Sequence, residues 1–171
     1  MSVAEPRRIV LFRHAKAEWS QVSDHERPLA DRGRKDAAVA GRKLADTGIP
    51  FDLALCSTAV RTRDTWKLAV HELPHRPKTV YEERLYEASP GELIAVLNET
   101  PDDAQNVVLI GHNPGIRGLA EILAGQAEGD TLTRMQGGFP AAAFAVLSFE
   151  GSWKSLEPGV ATLSDYWAPT E

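Results

Sequence analysis

Cysteine is almost missing from this chain: Cys56 is the only one among 171 residues. No intrachain disulfide can form, which fits a reducing compartment. Also missing is any apolar run near the ~20 residues that a membrane-spanning helix needs. The stretch from Met1 to Arg8 is polar and has neither a long apolar core nor a small-residue cleavage site, so no secretion signal is expected. There is no basic surplus: 19 Lys and Arg stand against 24 Asp and Glu, for a net charge of -5. A protein of that sign is not built to neutralise a nucleic-acid backbone. No glycine-rich strand-to-helix loop leads into a lysine, which excludes a P-loop for nucleotide phosphates. Internal repeats and low-complexity tracts are absent too. The expectation is a soluble, cytoplasmic protein with neither nucleic-acid nor membrane partners. Its length suits one domain over residues 1–171, and 43% hydrophobic residues suffice for a substantial core.

What is present alternates between two periodicities. Ile9 to Phe12 is a short apolar run that reads as a buried strand and stops at Arg13-His14. Polar sequence to Pro28 reads as a loop. Asp31 can cap a helix to about Asp46, where Gly48 and Pro50 end it. Phe51 to Cys56 is strand-like, and Ser57 or Thr58 is placed to cap a helix running to about Leu73. Thr79 to Tyr81 gives a short strand, and Ser89-Pro90 opens a helix through Leu97. Val107 to Ile110 is a buried strand ending at Gly111-His112, and Asn113-Pro114 starts another helix. Gly125 to Gly138 reads as a loop, and Phe144 to Phe149 and Val160 to Leu163 as paired late strands. Strands alternating with helices imply an α/β fold with a mainly parallel sheet covered on both faces.

In such sheets ligands bind beyond the carboxyl ends of the strands. Arg13-His14, Ser57 with Arg61, and Gly111-His112 each follow a predicted strand, so two histidines and two arginines are expected at one sheet edge. A phosphoryl group in transfer carries its charge on peripheral oxygens, which makes catalysis largely positioning and charge stabilisation. Arginine's planar fork binds such oxygens in pairs and stays charged. Neutral histidine can attack phosphorus and is a competent leaving group near pH 7. That pocket requires no metal and no cofactor.

The combination resembles the histidine phosphatase superfamily, the phosphoglycerate-mutase-like fold, and within it the short bacterial phosphohistidine phosphatase (SixA-like) branch. The matching pieces, in order, are Leu11-Phe12-Arg13-His14, Arg27-Pro28-Leu29 with Arg32-Gly33, Ser57-Thr58-Ala59-Val60-Arg61-Thr62, Leu85-Tyr86-Glu87-Ala88 and Val108-Leu109-Ile110-Gly111-His112-Asn113-Pro114. The resemblance implies a three-layer α/β/α sandwich with a mixed, mainly parallel central sheet and a minimal cap. It implies that His14 becomes a phosphohistidine, that Arg13 and Arg61 clamp the phosphoryl oxygens, and that a protonated His112 donates to them. Ser57 matches the residue that supports the nucleophile's orientation, and Arg27 an auxiliary phosphate-side arginine. For the proton donor there are two candidates, Glu87 for phosphoester substrates and Asp24 for phosphohistidine; either can equally be plain surface charge.

Two further patterns are set aside. His71-Glu72-Leu73-Pro74-His75 fits a zinc-protease motif by letters, but Pro74 breaks the helix on which that motif depends. Cys56 precedes Arg61 with four residues between them, one fewer than the loop of the tyrosine phosphatases has, so Cys56 reads as a buried strand residue. Little sequence is spare between Leu85 and Val107 to roof the pocket. An open pocket suits phosphohistidine on a signalling or phosphotransfer protein. The alternatives are a small-molecule phosphomonoesterase of the same mechanism and a non-catalytic phosphate-binding module.

Overall fold

Ile9, Val10, Leu11 and Phe12 have no exposed surface at all, so β1 (Arg7–Arg13) lies in the middle of its sheet. A continuous apolar run is what a strand covered on both faces requires. The computed structural model describes residues 5–170; residues 1–4, part of the polar N-terminal stretch, and residue 171 lie outside the described residues. β2 (Leu53–Ser57) and β4 (Asn106–Gly111) are buried throughout in the same way. With β3 (Lys78–Glu82), β5 (Ala124–Ala127), β6 (Phe144–Phe149) and β7 (Ala161–Trp167), they form one sheet of order β3-β2-β4-β1-β6-β7-β5. β1, β2, β3 and β4 run parallel, and β6 runs against both β1 and β7. The sheet is mixed and mainly parallel, as expected.

Alternate strand residues feed two cores. Val10, Phe12, Ala54 and Cys56 pack with Ala40, Leu44 and Trp66 from α1 (Asp31–Asp46) and α2 (Val60–Val70). Ile9, Leu11, Leu53 and Leu55 pack on the other face with Leu93, Leu97 and Leu119 from α3 (Pro90–Leu97) and α4 (Gly115–Leu123). Each such aliphatic side chain contributes roughly 1.5–3 kcal/mol by leaving water. The result is the three-layer α/β/α sandwich. α3 begins with a complete capping box between Ser89 and Glu92, with Pro90 in its first turn. Between Leu85 and Val107 there is only that helix and its turns, so the cap is minimal.

Three local readings change. Residues 125–138 are not a loop: they carry the end of β5 and α5 (Thr131–Gln136). Glycine lowers strand propensity there, but β5 pairs with β7 and Thr131 and Met135 are buried, so tertiary packing overrides propensity. α2 is capped by neither Ser57 nor Thr58, since Ala59 occupies the cap position and both hydroxyls are engaged with histidines. Asp31 is the first residue of α1 rather than its cap, where its charge still favours the helix N-terminus.

Candidate active site

Strand register alone aligns the key residues. Arg13 pairs with Gly111 on β4, and Cys56 on β2 pairs with Ile110. His14, His112 and Ser57 therefore follow at the same carboxyl edge of three adjacent parallel strands. The His14 and His112 rings lie 5.3 Å apart. Two glycines let the surrounding loops close on this edge. A Cβ on Gly33 would stand 2.0 Å from the Lys16 carbonyl oxygen, and one on Gly115 would stand 2.2 Å from that of Ala88. No side chain fits at either place, so the first loop and the Tyr86–Ser89 segment can approach only with glycine there.

The His14 main chain is held on both sides. Its N–H donates to the Gly111 carbonyl at 3.0 Å, and its carbonyl accepts from the Ala142 N–H at 2.9 Å. Its ring Nδ1 lies 2.7 Å from the Ala15 carbonyl oxygen. A carbonyl only accepts, so Nδ1 must carry the hydrogen, which leaves Nε2 with its lone pair. The Ala15 N–H in turn donates to the Thr65 hydroxyl at 2.9 Å, and that hydroxyl donates to the Arg61 carbonyl at 2.7 Å. Burial first, then the charges of Arg13, Arg61 and Arg27, push the His14 ring down to about 4. His112 is pushed down to about 3 by burial and by facing His14 and Arg61. Both rings are neutral at pH 7 in the free protein.

Ser57 contacts the other histidine: its hydroxyl pairs with His112 Nε2 at 2.8 Å. The resemblance put Ser57 in support of His14; here its hydroxyl meets His112 instead, and the Ala15 carbonyl is the group against the His14 ring. The cause is register, because Ser57 ends β2 beside β4, which carries His112, and not beside β1. His112 Nδ1 is buried with no hydrogen-bond partner among the described residues. Arg13 donates to the Phe139 carbonyl at 2.9 Å, while its buried Nε has no partner among them. Asn113 donates to the same carbonyl at 2.9 Å.

Asp24 gathers three segments. Arg61 donates to its carbonyl at 2.7 Å and to its carboxylate at 3.0 Å, Arg27 to the other carboxylate oxygen at 3.0 Å, and Tyr86 gives its O–H to the carboxylate as well. Tyr86 first, then the two guanidiniums, hold the Asp24 carboxyl far below the usual carboxylate range. Tyr86 itself is pushed up to about 12 by burial and by this partner. Its ring meets His112 and His25 edge to face at 5.5 and 4.9 Å. Arg27 also donates to the Glu18 carbonyl and lies 4.0 Å over the exposed ring of Trp19. Glu87 is exposed, and with Asp24, Arg61 and His112 it lines a cavity of about 690 Å³ that runs between the α3 and α4 N-termini. Glu87 (φ 55°) and Ala142 (φ 69°) are the non-glycine residues with left-handed backbone among those described, and both stand at this site.

The sets-aside behave as sequences outside the site. α2 ends at Val70, and His71 and His75 stand in the turn that follows, with His71 Nδ1 accepting from Arg76. Cys56 is fully buried and its thiol is pushed up to about 12.

Residues 9–107 match the model of the histidine phosphatase superfamily (branch 1). The chain belongs to that superfamily. It is 38% identical over 161 residues to the uncharacterised protein Rv1276c of Mycobacterium tuberculosis (strain ATCC 25618 / H37Rv), covering 92% of this chain and 99% of that one. Its structure matches a protein of Nakamurella multipartitia provisionally named phosphohistidine phosphatase SixA, with TM-score 0.85, 32% identity and coverage of 98% and 99% of the two chains. An Agrobacterium tumefaciens protein carrying the same provisional name matches with TM-score 0.81, 29% identity and coverage of 97% and 100%. A protein histidine phosphatase SixA complexed with tungstate shares the fold, at TM-score 0.75 and 21% identity over 93% and 95% of the chains. Within the superfamily the chain is SixA-like. His112 lies beyond the matched segment, and the β1–β4 pairing brings it to the same sheet edge as Arg13 and His14.

The two depressed histidines give this site a pH signature. In the unfolded chain each binds its proton near the ordinary 6.5, in the folded chain only near 4 and 3. Between those limits the unfolded state holds more protons, so stability falls as pH drops from about 6.5 toward 4 and the loss levels off below the folded values. Urea midpoints measured across that window are expected to decline less for a His14→Asn/His112→Asn variant than for wild type. Equal slopes would show that the histidines are not the linked groups.

Proposed function

We propose that this chain hydrolyses phosphohistidine on signalling or phosphotransfer proteins, through a covalent phosphohistidine at His14. The observation that supports this best is the fixed tautomer: Nδ1 is committed to the Ala15 carbonyl, so Nε2 is the ring atom left to attack. The Nε2 lone pair forms the new P–N bond while the bond to the substrate's imidazole breaks. Arg13 and Arg61 hold the equatorial oxygens, and the incoming dianion supplies the charge that lets His112 take a proton and donate to them. Arg27 supports the phosphate side by holding Asp24 and by its charge near His14, and Ser57 orients His112. The leaving imidazole protonates readily near neutral pH, so the first step does not depend on a strong acid. Water then cleaves the phosphoenzyme and returns His14 to its neutral form.

Of the two candidate acids, Asp24 is an anion tied down by three donors and has no proton to give; Glu87, on the cavity wall, is the group placed for a poorer leaving group. A pocket under a minimal cap has room for a protein-borne phosphate. No step uses a metal or a cofactor. The test is a comparison of kcat/KM on a phosphohistidine protein with that on a panel of sugar and nucleotide monophosphates, each with and without chelator. The expected result is preference for the phosphoprotein, unchanged by chelation. Turnover of the small esters alone would identify a phosphomonoesterase of the same mechanism, and turnover of neither a phosphate-binding module.

A further inference from the structure

β3 pairs with β2 on one side and ends the sheet on the other. Such an edge offers unpaired backbone N–H and C=O groups to any extended chain that reaches it. Here it is flanked by a cavity on each face of the sheet, and successive β3 residues turn alternately to the two. Lys78, Val80 and Glu82 line one of about 600 Å³ on the α3 side. Thr79 and Tyr81 line one of about 440 Å³ on the α2 side.

The two cavities differ in chemistry. The α3-side floor is aliphatic, from Leu53, Leu55, Val80 and Val96. Its one buried polar side chain is Thr100, 6% exposed, whose hydroxyl has no hydrogen-bond partner among the described residues. Around the rim, Asp52, Glu82, Glu99 and Asp103 outnumber Lys78 and Arg84, and Arg84 is already bound to Glu82 and Glu99. The α2-side cavity has the opposite sign: Arg63, Lys67 and Arg76 stand against Asp64, with the exposed ring of Tyr81 beneath Arg63. On a protein of net charge -5 this is a local reversal.

We propose that the β3 edge is a docking site for an extended peptide segment of a partner protein, one whose residues alternate between apolar and acidic. Backbone pairing to β3 sends every second side chain to the same face. Apolar residues enter the α3-side cavity, where the acidic rim repels carboxylates. Acidic residues meet Arg63, Lys67 and Arg76 on the other face. The charge difference between the faces sets the register, because a slip by one residue would put every carboxylate over the acidic rim.

The probe is a short labelled peptide alternating leucine and glutamate, followed by fluorescence anisotropy on the whole chain. The expected result is binding that fails for an isomer with the same residues in blocks and for a leucine/lysine alternate. Deuterium exchange should show new protection at residues 78–82. A Lys67→Glu/Arg76→Glu variant, changed at two exposed positions away from His14 and His112, should lose roughly tenfold in affinity or more for the glutamate peptide and gain affinity for the lysine peptide. Its melting temperature and its turnover of a small phosphoester should match wild type. Equal binding of the block isomer, or affinity unmoved by the double reversal, would overturn the proposal. So would a concentration-dependent dimer with residues 78–82 protected before any peptide is added, since the edge would then belong to a second copy.

Discussion

A His14→Ala variant is expected to lose at least ~10³-fold in turnover and to take up no label from a phosphorylated substrate, while wild type quenched in acid-free denaturant carries label on His14. The size of the loss follows from what remains. His112, the other ring at the site, has Nε2 paired with Ser57 and a buried Nδ1, so it cannot take over as nucleophile without moving. Among the described residues no other histidine in reach is oriented by a carbonyl as His14 is by Ala15. Direct attack by water would still find Arg13 and Arg61 in place, which is why some residual activity is compatible with the mechanism and wild-type activity is not. Label mapped to His112, or turnover by His14→Ala within a few-fold of wild type, would refute the covalent route through His14.

Truncating Arg61 is the second large effect: Arg61→Ala should cost on the order of 10²–10³ in kcat, the usual range for one lost donor to the transition state. Arg61→Lys should recover little, because a single ammonium cannot bridge two oxygens as a planar fork does. Arg61 also holds Asp24, so a merely structural explanation has to be separated. Asp24→Ala removes the carboxylate half of that contact, keeps the bond to the residue-24 carbonyl, and leaves the guanidinium in place. If Arg61 serves only to anchor the first loop through that carboxylate, the two alanine variants will lose similar activity. If it binds phosphoryl oxygens, Asp24→Ala will be far milder and vanadate will still inhibit it at concentrations near those for wild type, whereas Arg61→Ala will resist vanadate.

The strand-end positions of Arg13, His14, Ser57 and His112, and of Arg61 in the helix turn that follows β2, were legible because an apolar run that stops abruptly marks the end of a buried parallel strand, and the sheet does the rest. What the side chains do after arriving was less legible. Ser57 turns to His112 because β2 neighbours β4, and strand order is not written in any one segment. Tyr86 lies in a motif that the sequence displays plainly, yet its bond to Asp24 spans 62 positions and leaves no local signal. The Phe139 carbonyl, which holds both Arg13 and Asn113, is backbone and therefore invisible to any reading by residue type. Ala142 is hidden for a related reason, since nothing about alanine announces a left-handed backbone. β5 and α5 were masked by glycines whose propensity long-range pairing outweighs.

The reversed direction of β6 has a consequence for when the enzyme can come into being. Because β6 runs against β1, its beginning, not its end, meets the end of β1, and residues 139–143 reach His14 and Arg13 from far along the chain. A nascent chain that has emerged from the ribosome only through α4 already contains His14, His112, Arg13 and Arg61. It still lacks the Ala142 N–H that holds the His14 carbonyl and the Phe139 carbonyl that holds Arg13. Competence should therefore switch on late in synthesis, when the last third of the chain threads its antiparallel strand against the first.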